Sequence, residues 1–179
     1  ILELVRKYID AQEEVFVPSE TYIRTSGASW GSDDVVSLVD MALSRWYTDA
    51  GAAHELERYL AGIVKQRYVS LCNSGSSANL LAIAALTSKK LGTRALKRGD
   101  EVITVAAGFP TTVNPIVQYG LIPVFVDIHL PHYNALPHEI SEAISDKTKA
   151  ILIAHTLGNP YKAQEIREIA DQNNLWVIA

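Results

Sequence analysis

Apolar residues recur along this chain in two rhythms, and the change from one to the other already suggests the architecture. Val36, Val39, Leu43 and Trp46 stand three or four residues apart, which puts them on one stripe of a 3.6-residue helix. With Ser32 or Asp33 as N-cap, they predict an amphipathic helix over residues 33–46. Leu56, Tyr59, Leu60 and Ile63 repeat the spacing and predict a second helix over 53–65. Leu2, Val5 and Ile9 show helical spacing from the first residues onward. Beyond residue 65 the rhythm changes. Short, nearly continuous apolar runs at 68–72, 101–105, 123–126, 149–154 and 175–178 read as strands. Helical stretches over 78–90, 111–119, 137–144 and 161–173 separate them, the third with Pro137 in its first turn.

Strands that are apolar on both faces and alternate with helices call for a sheet covered on both sides. The expected fold class is therefore α/β: a mainly parallel sheet with helices on both faces, joined by right-handed crossovers. Residues 1–32 are expected to form an N-terminal arm, and 33–179 a partial α/β domain. Neither internal repeats nor low-complexity tracts interrupt it. The chain begins without Met inside a helical pattern and stops on the strand-like Leu175-Trp176-Val177-Ile178-Ala179. Both ends lead to the expectation of a fragment.

Composition narrows the function classes. In 179 residues, 16 Lys and Arg face 20 Asp and Glu for a net charge of -4, and 48% are hydrophobic. That balance excludes a disordered chain and argues against a nucleic-acid partner, which usually needs a strongly basic surface. The single cysteine, Cys72, excludes an internal disulfide and an all-cysteine metal site within these residues. Without an apolar run near the roughly 20 residues that span a bilayer, no membrane role is expected. A cytoplasmic, reducing compartment is the reading.

In such sheets ligands bind beyond the carboxyl ends of the strands, where three segments fall. Asn73-Ser74-Gly75-Ser76-Ser77-Ala78-Asn79 joins a strand to a helix. Small residues there let a phosphate approach unpaired helix N–H groups and two hydroxyls. The same residues also describe an ordinary serine-capped helix start. They form neither a dinucleotide fingerprint nor a P-loop. In Ala107-Gly108-Phe109-Pro110-Thr111-Thr112, Phe109 could stack on a planar ring or tuck into the core. His155-Thr156-Leu157-Gly158-Asn159-Pro160 offers polar groups over the same crevice, or a simple turn before proline. His129, His132 and His138 are better read as parts of a solvated loop over 127–137 than as metal ligands. Cys72, ending an apolar strand, reads as a buried small hydrophobe.

Together, the segments starting at Asn73, Gly99 and Ala154 resemble the nucleotide-sugar aminotransferase-like proteins of fold type I. They are most similar to the CDP-4-keto-6-deoxyglucose 3-dehydrases of lipopolysaccharide dideoxysugar synthesis, and the likeness runs from about Tyr22 onward. The resemblance implies a pyridoxamine or pyridoxal 5′-phosphate cofactor in a homodimer. Carried over by position, Gly75, Ser76 and Ser77 cradle the phosphate, Phe109 stacks on the pyridine ring and Asn159 lies near cofactor or substrate. Tyr22, Ser26 and Gly27 match the segment bordering the sugar. The substrate implied is a nucleotide-linked 4-keto-6-deoxyhexose that loses its C3 hydroxyl, with electrons from an iron–sulfur flavin reductase. A sugar aminotransferase shares the same cradle, and a non-catalytic remnant is the alternative of another class.

One departure stands out. Thr48-Asp49-Ala50-Gly51 has Ala where the family's T-x-G motif has its glycine, so the substrate-side loop is expected to differ. The family's Asp partner of the pyridine nitrogen and its Lys or His base fall beyond Ala179, as do the dehydrase's iron–sulfur cysteines. No residue of this chain is thereby assigned as catalytic base or metal ligand.

Overall fold

A computed structural model describes residues 1–12, 15–23, 26–27, 29–48 and 51–179. Asp49 and Ala50 of the departing motif lie outside the described residues. The chain forms two compact units, Ile1–Leu71 and Cys72–Ala179.

The first unit is helical, with α1 at Leu2–Asp10, α2 at Ser32–Ser44 and α3 at Gly51–Val64. α1 packs on α2, and Arg6 fixes the contact. Its guanidinium lies 2.6 Å from Asp33 Oδ1 and donates to Ser32 Oγ at 3.3 Å. The cap of α2 differs from expectation. Gly31 is the N-cap, and Asp34 reaches back to accept its N–H at 2.8 Å. Ser32 and Asp33 are already helical, because the carboxylate three residues into the helix does the capping. Among the described residues of this unit none is buried, so the apolar stripes of α2 and α3 are only partly covered.

Residues 68–72 form no strand. Apolar residues give this segment strand propensity, but a strand exists only where a neighbour accepts its ladder of hydrogen bonds. No described strand pairs with it. Cys72 is consequently exposed, with its thiol donating to Ser74 O at 3.2 Å. The buried-hydrophobe reading of Cys72 is corrected on the same ground.

The second unit carries the sheet. After α4 (Gly75–Leu86) and a 3₁₀ segment (Lys89–Arg94) come β1 (Glu101–Val105), α5 (Pro110–Gln118) and β2 (Ile122–Val126). Then follow α6 (Pro137–Glu142), β3 (Thr148–Leu152), α7 (Ala163–Gln172) and β4 (Trp176–Ile178). The four strands lie in the order β2-β1-β3-β4, every pair parallel. Side chains alternate across β1. Ile103 and Val105 pack with Ile140 of α6 and Ile166 of α7, whereas Val102 packs with Ile83 of α4 and Ile116 of α5. Helices therefore cover both faces. Between α5 and β2 the chain turns at Gly120 with φ 68°, where any Cβ would meet the Arg98 guanidinium at 2.7 Å.

Candidate functional site

α4 begins three residues earlier than its apolar pattern indicates, and the reason lies in Ser74. This residue is extended, with φ -164° and ψ 160°, and its hydroxyl oxygen accepts the Ser77 N–H at 3.2 Å. The Ser74 backbone oxygen accepts from Ala78. The cap thus takes the third N–H group of the helix, and the fourth makes the first i to i−4 bond. Among the described residues, the N–H groups of Gly75 and Ser76 have no partner. A Cβ at Gly75 would meet nothing within 4 Å. The helix start therefore presents two free donors, with the hydroxyl of exposed Ser76 and of half-buried Ser77 beside them.

α5 stands next to α4 for a specific reason. Pro115 inside α5 has no N–H to give to the Thr111 carbonyl. Asn79 of α4 fills that place, its Nδ2 donating to Thr111 O at 3.2 Å. The bond locks the two helix starts together. A groove of about 170 Å³ lies between them, lined by Ser76, Ser77, Thr111, Asn114 and Gln118 among others.

Phe109 is the N-cap residue of α5, four residues after the end of β1 at Val105, and Pro110 opens the helix. Its ring is 74% exposed. The core-filling alternative for this phenylalanine is therefore excluded within the unit, and an aromatic face is left open at the carboxyl end of the central strand.

Asn159 follows β3, the strand beside β1. It closes a 3₁₀ turn, Thr156–Gly158, and its N–H donates to Thr156 O at 2.9 Å. The turn stands on a ring stack between His155 and Tyr161, with centroids 4.2 Å apart and planes inclined by 8°. Burial pushes the Tyr161 hydroxyl above its ordinary pKa, because the phenolate would lose its hydration there.

A residue that sequence reasoning passed over holds this turn. Asn134 is 8% exposed and donates from Nδ2 to Asn159 O at 3.1 Å. The surrounding segment was expected to be a solvated loop, and Leu130, Pro131, His132 and Tyr133 are indeed exposed. Asn134 and Ala135 are buried instead. His129 pairs with Asn134 as an antiparallel bridge, and its ring nitrogen lies 2.7 Å from Glu139 Oε1. That hydrogen bond holds the Glu139 carboxyl below its ordinary pKa, aided by the Leu136 N–H. Nothing local in the sequence separates Asn134 from a turn asparagine; only its distant partners do.

Tyr22, Ser26 and Gly27 belong to the first unit, and each of the three is exposed and outside any helix or strand. The described site residues thus fall into two sets. Gly75, Ser76, Ser77, Phe109 and Asn159 share one end of the parallel sheet. Among the described residues, no group of three or more His, Cys, Asp or Glu could hold a metal ion, and no helix is long and apolar enough to cross a membrane.

Comparison with known proteins gives consistent answers. Over 99% of its length the chain is 51% identical to a dTDP-4-dehydro-2,6-dideoxy-D-glucose 3-dehydratase of Saccharopolyspora spinosa, covering 39% of that protein. It is 48% identical to the lipopolysaccharide biosynthesis protein RfbH of Salmonella typhimurium, again over 99% of the chain and 41% of the relative. The chain spans about two fifths of the length of the curated relatives it matches. Among solved structures, the E. coli GDP-4-keto-6-deoxy-D-mannose-3-dehydratase with bound hydrated PLP superimposes with a TM-score of 0.78 at 35% identity. That match covers 85% of this chain and 39% of the other. The fold is accordingly the fold type I aminotransferase-like one expected from the sequence. The model of the DegT/DnrJ/EryC1/StrS aminotransferase family matches residues 30–179, and the chain belongs to that family.

Proposed function

We propose that the protein is a pyridoxamine/pyridoxal-phosphate-dependent nucleotide-sugar 3-dehydratase, and that this chain supplies the phosphate cradle and the ring-stacking face of its cofactor site. The observation that carries the reading is the identity of 51% over 99% of the chain with a sugar 3-dehydratase. The residues fit the cofactor. Two unpartnered N–H groups and two hydroxyls at the start of α4 match a phosphate dianion, and Gly75 leaves the approach open. The exposed Phe109 ring covers one face of a pyridine.

When bound, the cofactor supplies the electron sink through which the C3 hydroxyl leaves. The residues of this chain orient it: Gly75, Ser76 and Ser77 hold the phosphate, and Phe109 fixes the plane of the ring. Asn159 borders the substrate end, and Tyr22, Ser26 and Gly27 border the sugar. The substrate is a CDP-linked 4-keto-6-deoxyhexose of lipopolysaccharide dideoxysugar synthesis, and the protein works as a cytoplasmic homodimer. An iron–sulfur cluster and an iron–sulfur flavin reductase belong to the same proposal. The cluster draws its cysteines from outside these residues, since Cys72 alone is present here.

The test is uptake of pyridoxal 5′-phosphate by the full-length protein, followed by its absorbance. Ser77→Ala removes one hydrogen bond to a charged group, worth roughly 1.5–3 kcal/mol, and should weaken binding at least about tenfold. Phe109→Ala should weaken it by about threefold to tenfold through lost stacking. A parent protein that takes up no cofactor overturns the reading. Release of the C3 hydroxyl from a CDP-linked but not a dTDP-linked keto-sugar supports the substrate named.

A further inference from the structure

The turn that ends in Asn159 does not hold its own shape. Leu157 has φ 53° and ψ 27°, followed by Gly158 at φ 81°. A left-handed leucine costs about 1–2 kcal/mol, and this one recovers nothing by burial, since its side chain is 85% exposed. Within the turn only two backbone bonds oppose that cost, Gly158 N–H to His155 O at 3.1 Å and Asn159 N–H to Thr156 O at 2.9 Å. Such strain persists only where the surroundings over-determine it.

Asn134 is the surrounding group that reaches the turn from elsewhere in the fold. Its Nδ2 donates to Asn159 O at 3.1 Å, and its Oδ1 accepts the Thr156 N–H at 3.5 Å, a long bond. One amide therefore holds both ends of the strained turn. Asn134 is itself held. The His129 N–H donates to Asn134 O at 3.1 Å, the Tyr133 N–H to His129 O at 2.8 Å, and the His129 ring meets Glu139 on α6. The neighbouring Ala135 is buried among Ile140, Ile166 and Tyr161. Topology adds the last point. Asn134 follows β2 and Asn159 follows β3, whereas β1, which delivers Phe109, lies between those strands. The Asn134 amide thus links the two segments that flank the end of the central strand.

We infer that Asn134 is a positioning residue: its side-chain amide sets the left-handed 156–159 turn and thereby the orientation in which Asn159 meets the cofactor end of the sheet. The inference rests on the proposed function for the identity of that cofactor. It assigns Asn134 no contact with cofactor or substrate, and acts only through Asn159.

The test uses the full-length protein with pyridoxal 5′-phosphate as probe. Asn134→Asp keeps the size of the side chain and the acceptor facing Thr156, but sets an anionic oxygen against the Asn159 carbonyl. Amide exchange over 156–159 should accelerate roughly tenfold, the equivalent of about 1.4 kcal/mol. The visible circular dichroism of the bound cofactor should change, while its Kd moves less than about threefold because the α4 cradle is untouched. Glycine adopts left-handed backbone freely. Leu157→Gly alone should therefore leave the dichroism as in the parent, and in the Asn134→Asp background it should restore at least half of the change. Should the Asp variant fold poorly, Asn134→Ser withdraws the amide without adding charge and is read the same way. Parental dichroism and exchange in the Asn134 variants overturn the inference, as does a loss that Leu157→Gly fails to relieve. A parent that binds no pyridoxal phosphate overturns the proposed function and this inference with it. Binding by the parent beside unchanged Asn134 variants overturns the inference alone.

Discussion

Thr104, in the central strand, offers a sharp test of how the core is held. Its side chain is fully buried, and its hydroxyl has no hydrogen-bond partner among the described residues. By alternation it shares the face of Val102, which packs against α4 and α5. A hydroxyl buried without a partner costs about 1–3 kcal/mol by mutational measures. Valine has nearly the same shape and an equal preference for strands, so Thr104→Val removes the cost and leaves the packing in place. Stability of the second unit should rise by about 1–3 kcal/mol. Thr104→Ser keeps the unpaired hydroxyl and loses a methyl group, which costs about 1 kcal/mol. The expected order is therefore Val above Thr above Ser.

Native-state amide exchange in β1 and β3 reads this locally. Protection at Ile103 and Ile151, paired across those strands, should increase roughly fivefold or more in the valine variant, since 1.4 kcal/mol is a factor of ten. The urea midpoint should rise with an unchanged slope. If Thr104→Val lowers protection, the hydroxyl makes a bond that the geometry does not contain, and the argument from its isolation fails.

Two further predictions concern the ends of helices. Ser74→Ala removes the cap of α4 and should cost about 1 kcal/mol, lowering the midpoint of thermal unfolding by about 2–4 °C; an unchanged midpoint would mean that the Ser77 N–H finds another acceptor. Glu139 has its pKa held down chiefly by the His129 hydrogen bond, so its contribution is present above the ordinary carboxyl value near 4.3 and lost as pH falls through the depressed folded value. Glu139→Gln should be less stable than the parent at neutral pH and should lose less stability between about pH 4.5 and acid. Parallel stability curves for the two proteins would exclude that role.

The elements of the second unit were largely legible because each is local. The runs at 101–105, 123–126, 149–154 and 175–178 became β1 to β4, displaced by two residues at most, since near-continuous apolar strands fit only a sheet covered on both faces. Gly75, Ser76 and Ser77 were legible as a helix start and Phe109 as the residue that leads into α5 after β1, because capping and proline signals act within one turn. Residues 68–72 show the limit. Their composition is that of a strand, but pairing is a property of a neighbour, and no described strand accepts them. Cys72 followed them into solvent.

Sequence by itself therefore determined the four strands that pair, the helices between them and the family, because periodicity and turn chemistry act over a few residues. Tertiary structure alone decided which polar groups meet. Asn79 answers the carbonyl that Pro115 leaves open 32 residues away, Asn134 clamps a turn 25 residues away, and Thr104 is left with no partner among the described residues. A side-chain amide or hydroxyl has no periodic signature, and its role is set only once packing has removed water and fixed what stands opposite.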